Sequence, residues 1–327
     1  METIDLGATG RKTTRLGYGC SGLTGATGRA ESLAMLEAAF DAGVRHFDVA
    51  PTYGSGEAES CVGEFLGRHR AEVTVTAKYG GAPAKTPGLI GFARSIAGPV
   101  AKVLPGLKKR LAKGTGKVVG NGRKVTVAHA KESLERSLKE LRTDRIDVWL
   151  LHAVKADDLR EDDGLLRLLE NSVAAGTIGS FGVGSEREKI RTLAIKRPQF
   201  CGTMQFEWSV MDAPVPAMQG FRIHPRALGD NFRGLHAGLL EEKGRCAEWS
   251  EKTGADLADG ETLASLMLKA SLMENPESVI LFSSTNPAHI QRNVETAGDA
   301  TLEAGAKKLY GLVQAAAKGR RAIEAGG

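Results

Sequence analysis

Residues 43–66 read GVRHFDVAPTYGSGEAESCVGEFL: a short β-run from Val44 to Val49, then an acid, a tyrosine, two glycines and a helical stretch. Asp48 and Tyr53 therefore both lie where a strand gives way to a loop. In a barrel of parallel strands wrapped by helices, chemistry sits at that end, because the loops there vary while the barrel holds them. The same placement recurs twice downstream, with Lys78 closing the β-run VTVTAK and His152 closing IDVWLLH. Four reactive side chains thus end or follow three different strands on one predicted face.

Outward from this stretch the chain alternates. Thr3 to Asp5 and Lys12 to Arg15 flank the turn GATGR as a hairpin, and a first barrel strand follows at Leu16 to Gly19. A helix from about Ala30 to Ala42 sets Leu33, Leu36 and Phe40 on one stripe, a spacing that fits packing against a sheet. A helix from Glu57 to Leu66 and a strand from Val73 to Ala77 come next. Thr126 caps a helix running to Leu141, with Ala130, Leu134, Leu138 and Leu141 inward. Strands at 146–151, 180–183, 203–206, 220–224 and 278–282 then alternate with helices at 163–175, after Glu186, at 239–250 and at 263–273. Pro287 fits the first turn of a further helix, and 301–322 form one more. Strand and helix repeats of this length predict a parallel sheet in an α/β fold.

Bulk properties narrow the class. Hydrophobic residues make up 42% and charged residues 25% of the 327 positions, an ordinary globular composition that excludes a fibre or broad disorder. No Pro/Ser-rich linker interrupts the chain, so residues 1–327 are expected to form a single domain. The stretch METIDLGATGRK lacks an apolar h-region and no long uncharged apolar run occurs, so a cytoplasmic protein that neither is secreted nor spans a membrane is expected. Cys20, Cys61, Cys201 and Cys246 are far apart without a C-x-x-C, which argues for ordinary thiols and against a metal site or a disulfide framework.

The net charge of +5 belongs to one segment. Residues 79–124 hold ten Lys/Arg and no Asp or Glu, so the remainder stands at −5. Within this segment GFARSIAGPVAKVLPGLKKRLAKG mixes apolar and cationic residues at roughly helical spacing, broken by Pro99 and Pro105. It reads either as a lid inserted after the third strand, favouring anionic or large polar substrates, or as a solvated excursion. Nucleic-acid or membrane binding is the weaker reading and is not expected.

HFDVAPTYGSGEAE, then TAKYG, then LLHA, in that order and spacing, resemble the aldo-keto reductases over about Leu16 to Asn293. The resemblance implies a (β/α)8 TIM barrel with an N-terminal β-hairpin plugging its bottom and an extra C-terminal helix. It implies an NAD(P)-dependent oxidoreductase that moves hydride between nicotinamide and a carbonyl or alcohol, such as an aldehyde, ketone or sugar. Asp48, Tyr53, Lys78 and His152 match the family's catalytic four. Gly22, Asp48, Ser185, Gln205, Ser283, Ser284, Thr285, His289 and Asn293 match its cofactor positions, Gln205 at the glutamine that binds the carboxamide. Where many members offer a Lys/Arg pair to the 2′-phosphate, this chain has Ser283 and His289, with Arg292 as the compensating cation. NADP(H) is expected slightly ahead of NAD(H), with no metal. The family's nicotinamide-stacking aromatic has no match in GFRIHPRAL. A homo-oligomer is left open.

The chemistry of the four residues agrees. A carbonyl receiving hydride becomes an alkoxide, so the site needs a donor that stabilises negative oxygen and delivers a proton. A tyrosine does both once a lysine favours its phenolate, and an aspartate holds the lysine. A histidine adds a second donor to the carbonyl oxygen. SSTNPAHIQRN adds a helix start at Asn286 and Pro287, whose N–H groups suit a phosphate. Singly, each residue reads equally as a cap, a loop residue, a solvated strand end or a satisfied core histidine; together on one face they read as a site.

Two rivals remain. GYGCSG at 17–22 spells the G-x-G-x-x-G dinucleotide fingerprint, but it opens no βαβ unit with an acid at the expected distance. The other is a non-catalytic, nicotinamide-binding regulatory or partner-binding subunit on the same barrel.

Overall fold

The structure is a computed structural model that describes residues 1–25, 27–80, 125–159, 164–216 and 218–325. The basic insertion, read as a lid or as a solvated excursion, therefore lies outside the described residues apart from Tyr79 and Gly80.

Strands β1 (Thr3–Asp5) and β2 (Lys12–Thr14) form the antiparallel hairpin, Thr3 opposite Thr14. Eight parallel strands close a barrel in chain order: β3 (Leu16–Gly19), β4 (His46–Asp48), β5 (Thr74–Tyr79), β6 (Ile146–His152), β7 (Ile178–Gly184), β8 (Thr203–Gln205), β9 (Phe221–His224) and β10 (Ser278–Phe282), which pairs back onto β3. Closure leaves the barrel itself no strand edge. The described helices are α1 (Arg29–Asp41), α2 (Ala58–His69), α3 (Val127–Glu140), α4 (Gly164–Ala174), α5 (Arg187–Lys196), α6 (Gly229–Glu241), α7 (Lys243–Thr253), α8 (Gly260–Glu274), α9 (Pro287–Gly298) and α10 (Glu303–Ala325). Thr126 caps α3 by accepting from the His129 N–H, as its sequence predicts.

Strand alternation sorts the side chains. Phe47, Val75, Ala77, Trp149, Leu151, Val183, Met204 and Ile280 belong to the large core that also takes in Leu36, Phe65, Leu134 and Leu169 from the surrounding helices. Their neighbours in sequence, at the alternate positions, face inward. Gly17 shows how tight that interior is: a Cβ there would stand 2.8 Å from Leu281 and 3.0 Å from His46. The second glycine of the dinucleotide-like GYGCSG, Gly19, likewise ends barrel strand β3, so the fingerprint reading is set aside.

The hairpin seals the end opposite the loops after the strands. Leu6 packs with Val148 and Leu150, and Ile4 packs against Ile223, Val279 and Leu281. Buried Asp147 accepts from the Val75 N–H at 2.7 Å and pairs with Arg70 at 3.0 Å and Arg11 at 3.2 Å, tying hairpin, α2 and strands together.

One departure from the sequence reading concerns the C-terminal third. The single helix expected at 239–250 is two, α6 and α7, separated at Glu242, whose backbone (φ −99, ψ 69) leaves helical space. Leucines 235 and 239 and Trp249 face one shared cluster across that bend, so burial rather than propensity sets the break. The final helix packs on that cluster through Ala306, Leu309 and Val313, and Gln314 donates to the carbonyls of Val210 and Asp212, bracing the loop after β8.

Candidate active site

Asp48, Lys78, His152, Ser185 and Gln205 end or directly follow five consecutive strands, β4 to β8, which places them side by side on one rim. Lys78 is the centre: its Nζ donates to Asp48 Oδ1 at 2.8 Å and to Tyr53 OH at 2.8 Å. Asp48 and Lys78 are each 3% exposed, and Gln205, whose Nε2 donates to Asp48 Oδ2 at 2.6 Å, is 4% exposed. Tyr53 is only half-buried and forms the open end of this chain of four.

Tyr53 sits on the short turn Tyr53–Gly56, which runs through left-handed backbone at Gly54 (φ 57) and Ser55 (φ 61). Only glycine fits the first of these. A Cβ on Gly54 would stand 1.8 Å from Thr24 Oγ1 and 2.4 Å from the Leu23 carbonyl oxygen. The YGSG of the opening stretch is therefore a close approach between the loops after β3 and β4 that aims the phenol at Lys78.

Burial and charge set the protonation states. Burial opposes the charge on Lys78, but Asp48 and Tyr53 outweigh it and hold the ammonium protonated. Burial raises the Tyr53 phenol above its usual range, with Lys78 opposing and Asp48 assisting. The sequence argument expected the lysine to win, whereas desolvation does, so Tyr53 rests as the protonated phenol. His152, half-buried at the end of β6, is pushed down to about 4 by burial, with Lys78 adding to the shift. It is a neutral imidazole near neutrality, able to donate one N–H.

The remaining matched positions gather at the β3 and β10 ends. Ser283 Oγ donates to the Gly19 carbonyl at 2.7 Å, Tyr18 OH to the Ser284 carbonyl at 2.6 Å, and a Cβ on Gly22 would stand 3.9 Å from the Thr285 methyl. Ser283, Thr285 and His289 are exposed, and Asn293 is half-buried. Ser185 follows β7, its N–H donating to the Gln205 carbonyl at 3.0 Å. These residues set hydroxyls and an amide side chain at or just beyond the ends of β3, β7, β8 and β10.

Two of the groups expected to meet the cofactor have partners within the chain. The first-turn donors of α9 are already engaged: Pro287 has none, the Ala288 N–H goes to Asn286 Oδ1 at 3.0 Å, and the His289 N–H to the Asn286 carbonyl at 3.1 Å. Arg292, read as the cation for a 2′-phosphate, is paired with Glu261 on α8 at 2.6 Å. The sequence reading also missed that Gln205 binds Asp48. It missed Asp147 too, although a lone acid inside the apolar run IDVWLLH was the available signal.

Among the described residues no helix is long and apolar enough to cross a membrane, and no group of three or more His, Cys, Asp or Glu is placed to hold a metal ion.

Known proteins place this architecture. An aldo-keto reductase from Bacillus halodurans in its holo form superposes with a TM-score of 0.67 at 17% identity, covering 94% of this chain and 96% of that one. An aldo-keto reductase from Klebsiella pneumoniae in complex with NADPH does so with a TM-score of 0.62 at 18% identity, covering 94% and 95%. At these identities the likeness is one of fold. A D-threo-aldose 1-dehydrogenase from a Pseudomonas species is 30% identical over 200 residues, 58% of this chain and 55% of that protein. Among the curated relatives it matches, this chain spans from about a quarter to about two thirds of their length. The aldo/keto reductase family pattern itself matches residues 15–213, more than half of the sequence and the whole arc from β3 to β8, and the chain belongs to that family.

Proposed function

We propose that this protein is a single-domain, cytoplasmic oxidoreductase that interconverts a small carbonyl compound and its alcohol, the carbonyl being an aldehyde, ketone or sugar, with NADP(H) used somewhat ahead of NAD(H). The observation that carries the reading is the unbroken series Gln205, Asp48, Lys78, Tyr53, closed by bonds of 2.6 to 2.8 Å and buried except at its last member, Tyr53, which is partly exposed. A structural salt bridge has no need to end on a partly exposed tyrosine.

When bound, a reduced nicotinamide supplies the hydride. The chain's residues handle everything else. Gly22, Ser185 and Ser283 to Thr285 would line the cofactor, with His289 and Asn293 beyond them and the Gln205 amide beside the carboxamide. As hydride reaches the carbonyl carbon, its oxygen takes up the bond pair and accepts the Tyr53 proton, giving alcohol and phenolate. Lys78 stabilises that phenolate across 2.8 Å, and Asp48 keeps Lys78 in place. Neutral His152 donates to the same oxygen, a contribution of about 3 kcal/mol in comparable oxyanion sites. In the oxidative direction Tyr53 acts as base.

The test is direct. Tyr53→Phe should bind NADPH or NADH as the parent does and lose turnover on a panel of aldehydes and sugars on the order of 10²- to 10⁴-fold, followed by absorbance of the reduced nicotinamide. Full turnover by that variant would overturn the assignment. Cofactor binding without turnover of any panel member by the parent would favour the non-catalytic, partner-binding reading instead.

A further inference from the structure

We propose that Gln205 is a positioning residue for the proton-transfer tyrosine, acting through Asp48: its amide holds one carboxylate oxygen so that the other is reserved for Lys78. This rests on the acid/base role proposed for Tyr53.

The two oxygens of Asp48 have separate donors, Gln205 Nε2 on Oδ2 at 2.6 Å and Lys78 Nζ on Oδ1 at 2.8 Å. An ionised carboxylate only accepts, so the edge of the Gln205 amide facing Asp48 must be its NH₂. The opposite edge is thereby fixed as well. Its Oε1 lies 3.7 Å from the point where a Cβ on Gly184 would stand, a point 3.5 Å from His152 Cδ2. One amide thus presents a donor to the relay and an acceptor to the space over Gly184 bounded by the His152 ring.

With both oxygens held, the carboxylate plane cannot rotate, and Lys78 has a single place to sit, from which its second proton reaches Tyr53. If the Gln205 donor is lost, Oδ2 is left buried and unpaired, a costly state for a charged acceptor. The carboxylate can relieve it only by turning Oδ2 toward Lys78, which draws the ammonium off the phenol. Tyr53 then loses the one neighbour that lowers its proton affinity, while burial and Asp48 continue to raise it.

The distinguishing measurement needs no cofactor and no turnover. Ultraviolet pH titration of the protein alone, with Tyr53→Phe subtracted, isolates the ionisation of Tyr53. Gln205→Met, an apolar side chain of similar length, should move that ionisation to higher pH by about one unit or more. In an Asp48→Asn background the same change should move it little, because the path through the carboxylate is already cut. An unmoved titration in Gln205→Met, or an equal shift in both backgrounds, overturns the proposal. Should the methionine variant not fold, Gln205→Asn, whose shorter amide withdraws from the carboxylate, should move the ionisation in the same direction, and an unmoved titration there overturns the proposal equally. Failure of the Tyr53 assignment would show separately, as retained turnover in Tyr53→Phe.

Discussion

The Arg292 guanidinium on α9 lies 2.6 Å from the Glu261 carboxylate, so this cation is joined to α8. Both partners are well exposed, at 37% and 59%, and an exposed pair of this kind is held only weakly. Glu261→Gln should therefore release Arg292 and raise the preference for NADPH over NADH by about two- to fivefold, read as the ratio of kcat/KM values. An unchanged ratio would remove Arg292 from cofactor selection.

The approach of the loops after β3 and β4 makes a second prediction. Gly54→Ala places a methyl 1.8 Å from Thr24 Oγ1, so the backbone must shift at the residue next to Tyr53. A displacement of about an ångström at a reacting group costs roughly 10²-fold in rate. Turnover should drop by that order while the barrel strands, which do not pass through Gly54, keep their circular dichroism. Wild-type kcat in this variant would show that the turn does not aim the phenol.

Stability should be concentrated at the opposite end. Asp147 is 2% exposed and faces both Arg11 and Arg70, so Asp147→Ala leaves the buried Val75 N–H without its acceptor and the two partly buried guanidiniums without their counter-charge. The expected cost is about 3–5 kcal/mol by urea denaturation, with kcat of the folded fraction unchanged because no catalytic side chain is touched. Loss of activity per folded molecule would contradict this division between the two ends.

Acid should weaken the fold through its histidines. His46, His152 and His224 are each lowered from 6.5 to about 4, burial being the largest cause in every case. Their folded forms are neutral, so the stability they confer is complete above pH 6.5 and is lost as pH falls toward 4. Glu59, raised by burial to about 7, and Glu274, also raised by burial, act in the opposite sense, since their folded forms bind a proton that the unfolded chain releases above 4.5. Three groups outweigh two, and the urea midpoint should fall between pH 6.5 and 4.5. His46→Gln should flatten that slope; an identical slope would acquit His46.

Much of this molecule was written locally. The eight strands were visible because short β-runs alternate with helical stretches along the chain, and the active rim because Asp48, Lys78 and His152 stand where such runs stop. Thr126 and Pro287 announced their helices by chemistry that acts within one turn. The bend at Glu242 was not announced in this way, because it answers to Leu235, Leu239 and Trp249 sharing one cluster.

What the linear order alone determined, then, is the alternation of elements and which reactive groups sit at the strand ends, since both follow from side-chain periodicity over a few residues. What only the closed barrel decided is who meets whom. Gln205 reaches Asp48 across 157 positions, Glu261 claims Arg292, and burial outweighs Lys78 at the Tyr53 phenol. Partner choice and desolvation depend on ångström-scale placement in three dimensions, and no spacing along a chain encodes them.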